Sequence, residues 1–257
     1  MTFDERFVAC AQRVEAGDPD RFAAVMISPV AARPVLFSLY AANLEIARAP
    51  WVSNEPMIAE MRLQWWRDAF DEIVESKSVR RHEIVTPLAH VIDVEAARNL
   101  ADLVDARRQD IKQNIFEDQS ALDIYLDRTA GTLMWTAARL LGAPAWSEQM
   151  VRRVGQANGL ARYLQAVAAL EAQGRVPLID GRPKAIAALA HNAQQTLGKM
   201  QSDHKALPAA AKPALLEAFQ AAALLKRAAH TPQNVADGTL TLAPLHRSWL
   251  LWRASRR

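Results

Sequence analysis

The chain has 257 residues, 51% of them hydrophobic, and a net charge of +3 at neutral pH. That composition supplies a sizeable core, and so small a charge argues against a general nucleic-acid surface, which needs a basic stripe with interleaved aromatic side chains. One cysteine, Cys10, excludes an internal disulfide and a cysteine-based zinc cage.

Only 9 glycines and several alanine-rich runs favour helix. The capping-box spacing of Thr2-Phe3-Asp4-Glu5 predicts a first helix to about Val14, broken at Gly17. Asp18-Pro19, an N-cap followed by proline, predicts a second helix to Ile27, and Ser28-Pro29 repeats the device for a third. Pro34 falls in the first turns of that third helix, where a missing N–H costs least, and Pro50 ends it. Its apolar stripe is Leu36, Phe37, Tyr40, Leu44 and Ala47. A fourth helix, introduced by Ser53, Asn54 and Pro56, reaches about Glu75 with Ile58, Met61, Trp65, Ala69 and Ile73 on its apolar side.

Pro87 opens a fifth helix, and a sixth starts near Val94. A seventh reads as one continuous helix from Leu122 to Leu141, stopped by Gly142-Ala143-Pro144. The eighth starts near Ser147 and carries Gly155, Ala157 and Gly159, a small-residue face that lets a neighbour approach closely. Further helices are predicted over roughly Pro183–Met200, over Pro213–Ala229, and from Pro244 to the end. No strand-like alternation, repeat or long linker interrupts them. The expected fold is therefore all-α, a single domain over residues 1–257, with helices packed around one central cavity or core.

Arg33 with the LYA that follows, the pair Trp66-Arg67, the segment Tyr125…Ala130-Gly131-Thr132, and the segment Gly155-x-Ala157…Gly174-Arg175 share an order and spacing. Together they resemble the squalene/phytoene synthase family, most clearly from about Phe22 to Pro177. The resemblance implies the isoprenoid-synthase helical bundle. In the family's enzymes, two aspartate-rich motifs face each other across the cavity and bind magnesium. The metal neutralises the diphosphate that leaves when an allylic cation forms, as a Lewis acid with oxygen ligands. Carried over from Tyr40, the first motif's aspartate positions fall on Ala47, Arg48 and Trp51. Carried over from Gly155, the second motif's fall on Ala166 and Leu170. None of these is a carboxylate, and Arg48 would repel the metal.

One branch of the family has a site altered in this way, the assembly factors of respiratory NADH dehydrogenase, complex I. Asn43-Leu44-Glu45-Ile46-Ala47 and Met61-Arg62-Leu63-Gln64-Trp65-Trp66-Arg67 resemble that branch. The resemblance implies a pseudoenzyme with no catalytic residue, no metal and no cofactor. It would bind a complex I subunit or assembly intermediate through the old cavity or a surface around Asn43, Glu45, Arg62 and Trp66. The alternative is a prenyltransferase joining two prenyl diphosphates, with magnesium on other carboxylates such as Asp68, Asp71, Asp123 and Asp127.

The bland readings stand beside these. Asp123 and Asp127 lie four residues apart, like a metal pair, but also suit a solvated face with Asp127 paired to Arg128 or Lys112. Asp68, Asp71 and Glu72 also suit a solvated face. Asp102, Asp105 and Asp110, alternating with Arg107 and Arg108, look like surface ion pairing. His82, His90, His191, His204, His230 and His246 show no zinc-helix spacing, and no serine stands in a GxSxG context. Trp65, Trp66, Trp135 and Tyr163 suit the core or a pocket wall.

Arg33, Arg48, Arg162 and Arg175 are candidates to bind an anionic lipid or prenyl phosphate without metal, since arginine grips phosphate with two parallel bonds. Alternatively they point outward or pair with Glu45 and Glu60. The C-terminal stretch places Leu245, Trp249 and Trp252 on one face, with His246, Arg253, Arg256 and Arg257 supplying charge. That pattern fits peripheral contact with a membrane or, the reading favoured, a last helix docked on the bundle. No apolar run approaches bilayer length, and MTFDERF has no signal core. The expected location is cytoplasmic, or peripheral to the inner membrane, and no nucleic-acid partner is expected.

Overall fold

A computed structural model describes residues 5–53, 55–112, 116–200 and 206–256. The predicted capping box, Asn54, His204 and Arg257 therefore lie wholly or partly outside the described residues. A 3-10 turn, Glu5–Phe7, leads into α1 (Val8–Gly17). The remaining α-helices are α2 (Pro19–Met26), α3 (Arg33–Arg48), α4 (Pro56–Val74), α5 (Val85–Ala89), α6 (Val94–Arg107), α7 (Gln119–Leu126), α8 (Thr132–Leu140), α9 (Glu148–Ala172), α10 (Pro183–Lys199), α11 (Ala221–His230), α12 (Gln233–Ala236) and α13 (Pro244–Ser255). Among the described residues no β-strand forms, only an isolated bridge position at Val176.

Local chemistry explains the boundaries. Asp18, Asp93 and Asp118 each cap a helix by accepting the backbone N–H three residues on, at 3.0, 2.8 and 2.8 Å. Proline opens α2, α4, α10 and α13, where its missing N–H leaves no helical bond unmade. The third helix begins at Arg33, later than Ser28-Pro29 suggests, because Val30–Ala32 form a 3-10 turn.

Two other boundaries differ from the sequence reading. The predicted seventh helix is three pieces, because Asp127–Gly131 form a π-helical turn between α7 and α8. The predicted helix from Pro213 starts as a 3-10 helix, Lys212–Ala218, and becomes α-helical only at Ala221.

Helix α3 is buried on every side from Pro34 to Asn43, the mark of a helix inside a protein rather than on it. It packs against α1, α2, α5 and α8, while α4 lies along α6. One apolar core joins α1, α3, α4, α6 and α8. It includes Cys10, whose burial pushes its thiol up to about 11, so the group stays neutral. A second apolar core gathers α7, α9, α10 and α11.

Helix α9, at 25 residues the longest, packs on the π turn, on α8 and on α10. Its small-residue face is what admits the π turn. A Cβ on Gly155 would stand 2.7 Å from the Ala130 carbonyl oxygen and 2.8 Å from the Gly131 Cα. Ala130 and Asp127 thus belong to a turn whose backbone presses directly on α9.

Candidate functional site

The motif positions lie near the ends of α3 and α9. Ala47 and Ala166 are half-buried, Leu170 is buried, Arg48 is exposed, and Trp51 is 38% exposed. Two side-chain networks stand near them, and each is built from residues far apart in the sequence.

The first network fills the interior between α2, α3, α9 and the 3-10 helix of Lys212–Ala218. Asp18 caps α2, and its two carboxylate oxygens also accept from the Arg162 guanidinium at 2.6 and 3.1 Å. Arg21, in the first turn of α2, lies 3.5 Å from Asp18 and donates through Nε to Glu217 at 2.5 Å. Its guanidinium also sits over the Tyr40 ring, 5.0 Å from the centroid. Arg21 and Glu217 are both almost wholly buried. Two cations meet two anions, so the group is neutral, which is what makes its burial tolerable.

Burial opposes the charge on Asp18, but Arg21 and Arg162 outweigh it and hold the carboxyl below its ordinary range. Burial also opposes the charge on Arg21, and Glu217 and Asp18 raise it nonetheless. Burial, with Glu217 nearby, pushes the Tyr40 hydroxyl well up. Asp18 and Arg21 are thereby held in their charged forms and Tyr40 as a neutral phenol.

The second network lies at the C-terminal end of α9. Gly174 takes a φ of +76°, which lets the chain turn back so that the Arg175 N–H reaches the Leu170 carbonyl at 3.2 Å. That turn directs Arg175 onto Trp51, with its guanidinium 4.1 Å from the ring centroid. Arg175 also donates to the backbone carbonyls of Asp110 and Lys112. The Asp110 carboxylate accepts from Tyr125 at 2.7 Å and from Arg107 at 3.2 Å. Tyr163 donates to the Pro177 carbonyl at 2.7 Å. Asp110 is only 4% exposed, so it belongs to this interior triad and not to a surface ion-pair run as its sequence context suggests.

The phosphate candidates other than Arg48 hold different protein partners. Arg33 donates to the Ser28 and Met26 carbonyls, Arg162 is bound by Asp18, and Arg175 lies over Trp51. Arg48 has neither hydrogen bond nor ion pair among the described residues. Glu45 pairs with Arg13 and Glu60 with Arg108, so neither carboxylate is taken by these arginines. Of the partner-surface candidates, Asn43 and Trp66 are buried, Glu45 is half-buried and Arg62 is exposed.

The donor set does not fit magnesium. The matched positions offer Ala47, Arg48, Trp51, Ala166 and Leu170, and the buried carboxylates Asp18, Asp110 and Glu217 are already bound by arginine. The other candidate carboxylates are engaged singly. Gln64 donates to Asp68 at 2.6 Å and Gln119 to Asp123 at 2.8 Å. Arg67 pairs with Asp71 at 3.3 Å. Asp127 pairs with Arg152 at 3.6 Å, not with Arg128 or Lys112. Among the described residues no three His, Cys, Asp or Glu side chains stand together as a metal cluster would require.

A cavity of about 430 Å³ opens between the end of α6 and α7. Phe116, Ile124 and Tyr125 give it an apolar wall, and Arg108, Lys112 and Arg128 rim it with charge. None of the five replaced motif positions lines it.

Sequence reasoning missed Arg21, Glu217, Arg107 and Asp110 as interior groups. Asp18 reads from sequence as a helix cap, and nothing local reveals that Arg162, 144 residues away, shares it.

The chain is 27% identical over 206 residues to the Drosophila melanogaster protein named NADH dehydrogenase (ubiquinone) complex I, assembly factor 6 homolog, covering 76% of this chain and 60% of that one. It is 22% identical over 281 residues to Homo sapiens complex I assembly factor 6, covering 95% and 81%. The Bos taurus counterpart matches at 22% identity, over 48% of its own length, so the chain spans less than two thirds of the fly and bovine proteins. The structure of a dehydrosqualene synthase superposes with a TM-score of 0.78 at 14% identity, covering 98% of this chain and 96% of that one. A squalene synthase from Alicyclobacillus acidocaldarius superposes with a TM-score of 0.73 at 14% identity, covering 89% and 94%. Those likenesses establish the fold, the all-α bundle of these synthases. The squalene/phytoene synthase model matches residues 14–178, well over half the chain, and the chain belongs to that family.

Proposed function

We propose that this chain is a non-catalytic member of its family that assists assembly of respiratory complex I. The observation that carries the reading is the replacement of the metal positions. Ala47, Arg48, Trp51, Ala166 and Leu170 stand where the resemblance puts aspartates, and an arginine, Arg175, lies over one of them, Trp51. The names of the fly and human relatives, both complex I assembly factors, support the biological role.

A protein partner has a suitable surface at the start of α4. Met57 and Met61 are 73% and 66% exposed, and Arg62 beside them has no ion pair among the described residues. Exposed methionines adapt to an apolar partner, and patches of them mark contact sites. Asn43, Glu45 and Trp66 would shape that surface from the interior side. A lipid or prenyl phosphate would use the exposed Arg48, or Lys112 and Arg128 at the mouth of the cavity between α6 and α7, because Arg33, Arg108, Arg162 and Arg175 already hold protein groups.

The test is genetic. Deleting the coding sequence from its host should lower the amount of assembled complex I on native gels. The wild-type chain should restore it, and a Met61→Asp/Arg62→Glu chain should not. An unchanged level of assembled complex I after deletion overturns the reading.

A further inference from the structure

Helix α13 turns its more aromatic side away from the protein. Leu245, Trp249, Trp252 and Arg256 recur every three to four residues and so share one face. Leu245 is 86% exposed, Trp249 48% and Trp252 52%. The opposite face, with Arg247, Leu250, Leu251 and Ala254, is half-buried. The helix is held by that inner face and by its lead-in. Arg247 pairs with Asp20 of α2, Gln165 donates to the Leu240 carbonyl at 2.8 Å, and Leu240 itself is buried. Docking onto the bundle therefore accounts for one face only.

The outward face has a definite chemistry. Arg253 stacks over Trp249 and Arg256 over Trp252, each guanidinium 5.2 Å from its ring centroid. His246 stands beside Trp249. After Asp237 the chain contains no acidic residue at all. A face that combines indoles, a leucine and stacked arginines, without a single carboxylate, complements a surface that is apolar below and anionic above. That is the headgroup boundary of a lipid bilayer, where indole rings settle and arginines reach phosphate. No helix among the described residues is long and apolar enough to cross a membrane. A 12-residue helix is about 18 Å long and would lie in the interface plane.

We propose that α13 is a peripheral membrane contact which seats Leu245, Trp249 and Trp252 in an anionic bilayer surface, with Arg253 and Arg256 on lipid phosphates. The inference is independent of the complex I reading, since it rests on the outward face of one helix.

Co-sedimentation of the full chain with phosphatidylcholine vesicles, with and without phosphatidylglycerol, tests it. Binding is expected only with the anionic lipid and should fall as salt rises. Trp249→Ser/Trp252→Ser and Arg253→Glu/Arg256→Glu should each bind about tenfold more weakly or worse, with circular dichroism unchanged because the altered side chains are exposed. Absence of binding to anionic vesicles at low salt overturns the proposal, as does equal binding by the variants. If the wild-type chain dimerises in sedimentation velocity and the tryptophan variant does not, and neither binds vesicles, the face belongs to a second copy and the proposal fails.

Discussion

Asp18 carries two duties, and they pull its chemistry in one direction. As a cap it accepts the Arg21 backbone N–H, and as an ion-pair partner it binds Arg162 and approaches Arg21. Both favour the carboxylate form. Its folded-state pKa is depressed, so its stabilising contribution is complete above its unfolded value and is lost as pH falls through the folded value. Asp18→Asn should cost about 3 kcal/mol near neutral pH, because Arg162 is left without its partner and Arg21 with one fewer. The variant's stability should also fall less steeply than the wild type's below about pH 4, in urea unfolding across that range. The cap was legible in the sequence because Asp-Pro before an apolar run has one local meaning. The ion pairs were not, because Arg21 and Glu217 are 196 residues apart and only the fold joins them.

At the scale of the element, the π turn and α9 are one device. Gly155 touches the Ala130 carbonyl and the Gly131 backbone, which cannot yield as a flexible side chain would. Gly155→Ala should therefore destabilise the protein by about 2 kcal/mol despite alanine's better helix propensity. Gly198, near the end of α10, has nothing within 4 Å of its missing Cβ. Gly198→Ala should stabilise by about 0.5 kcal/mol. Chemical unfolding of the pair distinguishes close packing from a general effect of glycine.

The small-residue face was readable from Gly155, Ala157 and Gly159. The turn it accommodates was not, because Leu122 to Leu141 keeps an unbroken helical pattern and no proline or glycine pair marks the extra residue. The 3-10 start at Lys212 was hidden similarly. Pro213 signals a helix beginning, but not which hydrogen-bond step the first turns take.

The whole molecule has the all-α architecture of the squalene and dehydrosqualene synthases. Helical patterning throughout was enough to expect an all-α chain, and the order of Arg33, Trp66-Arg67, Tyr125 and Gly155 carried the resemblance that implied the bundle. The absence of carboxylates at the positions to which the resemblance assigns the metal motifs is a matter of residue identity and reads directly from the sequence. The contacts around them do not, because Trp51 under Arg175 and Asp18 with Arg162 depend on where α9 and its turn deliver their side chains.

On the reading we propose, this interior does not ionise a prenyl diphosphate. The direct measurement is pyrophosphate release from farnesyl and geranylgeranyl diphosphate with magnesium present, on protein shown to be folded. The account predicts no release above the protein-free control. Release that stops when magnesium is chelated contradicts it, and Asp68, Asp71, Asp123 and Asp127 would then be the carboxylates to substitute first.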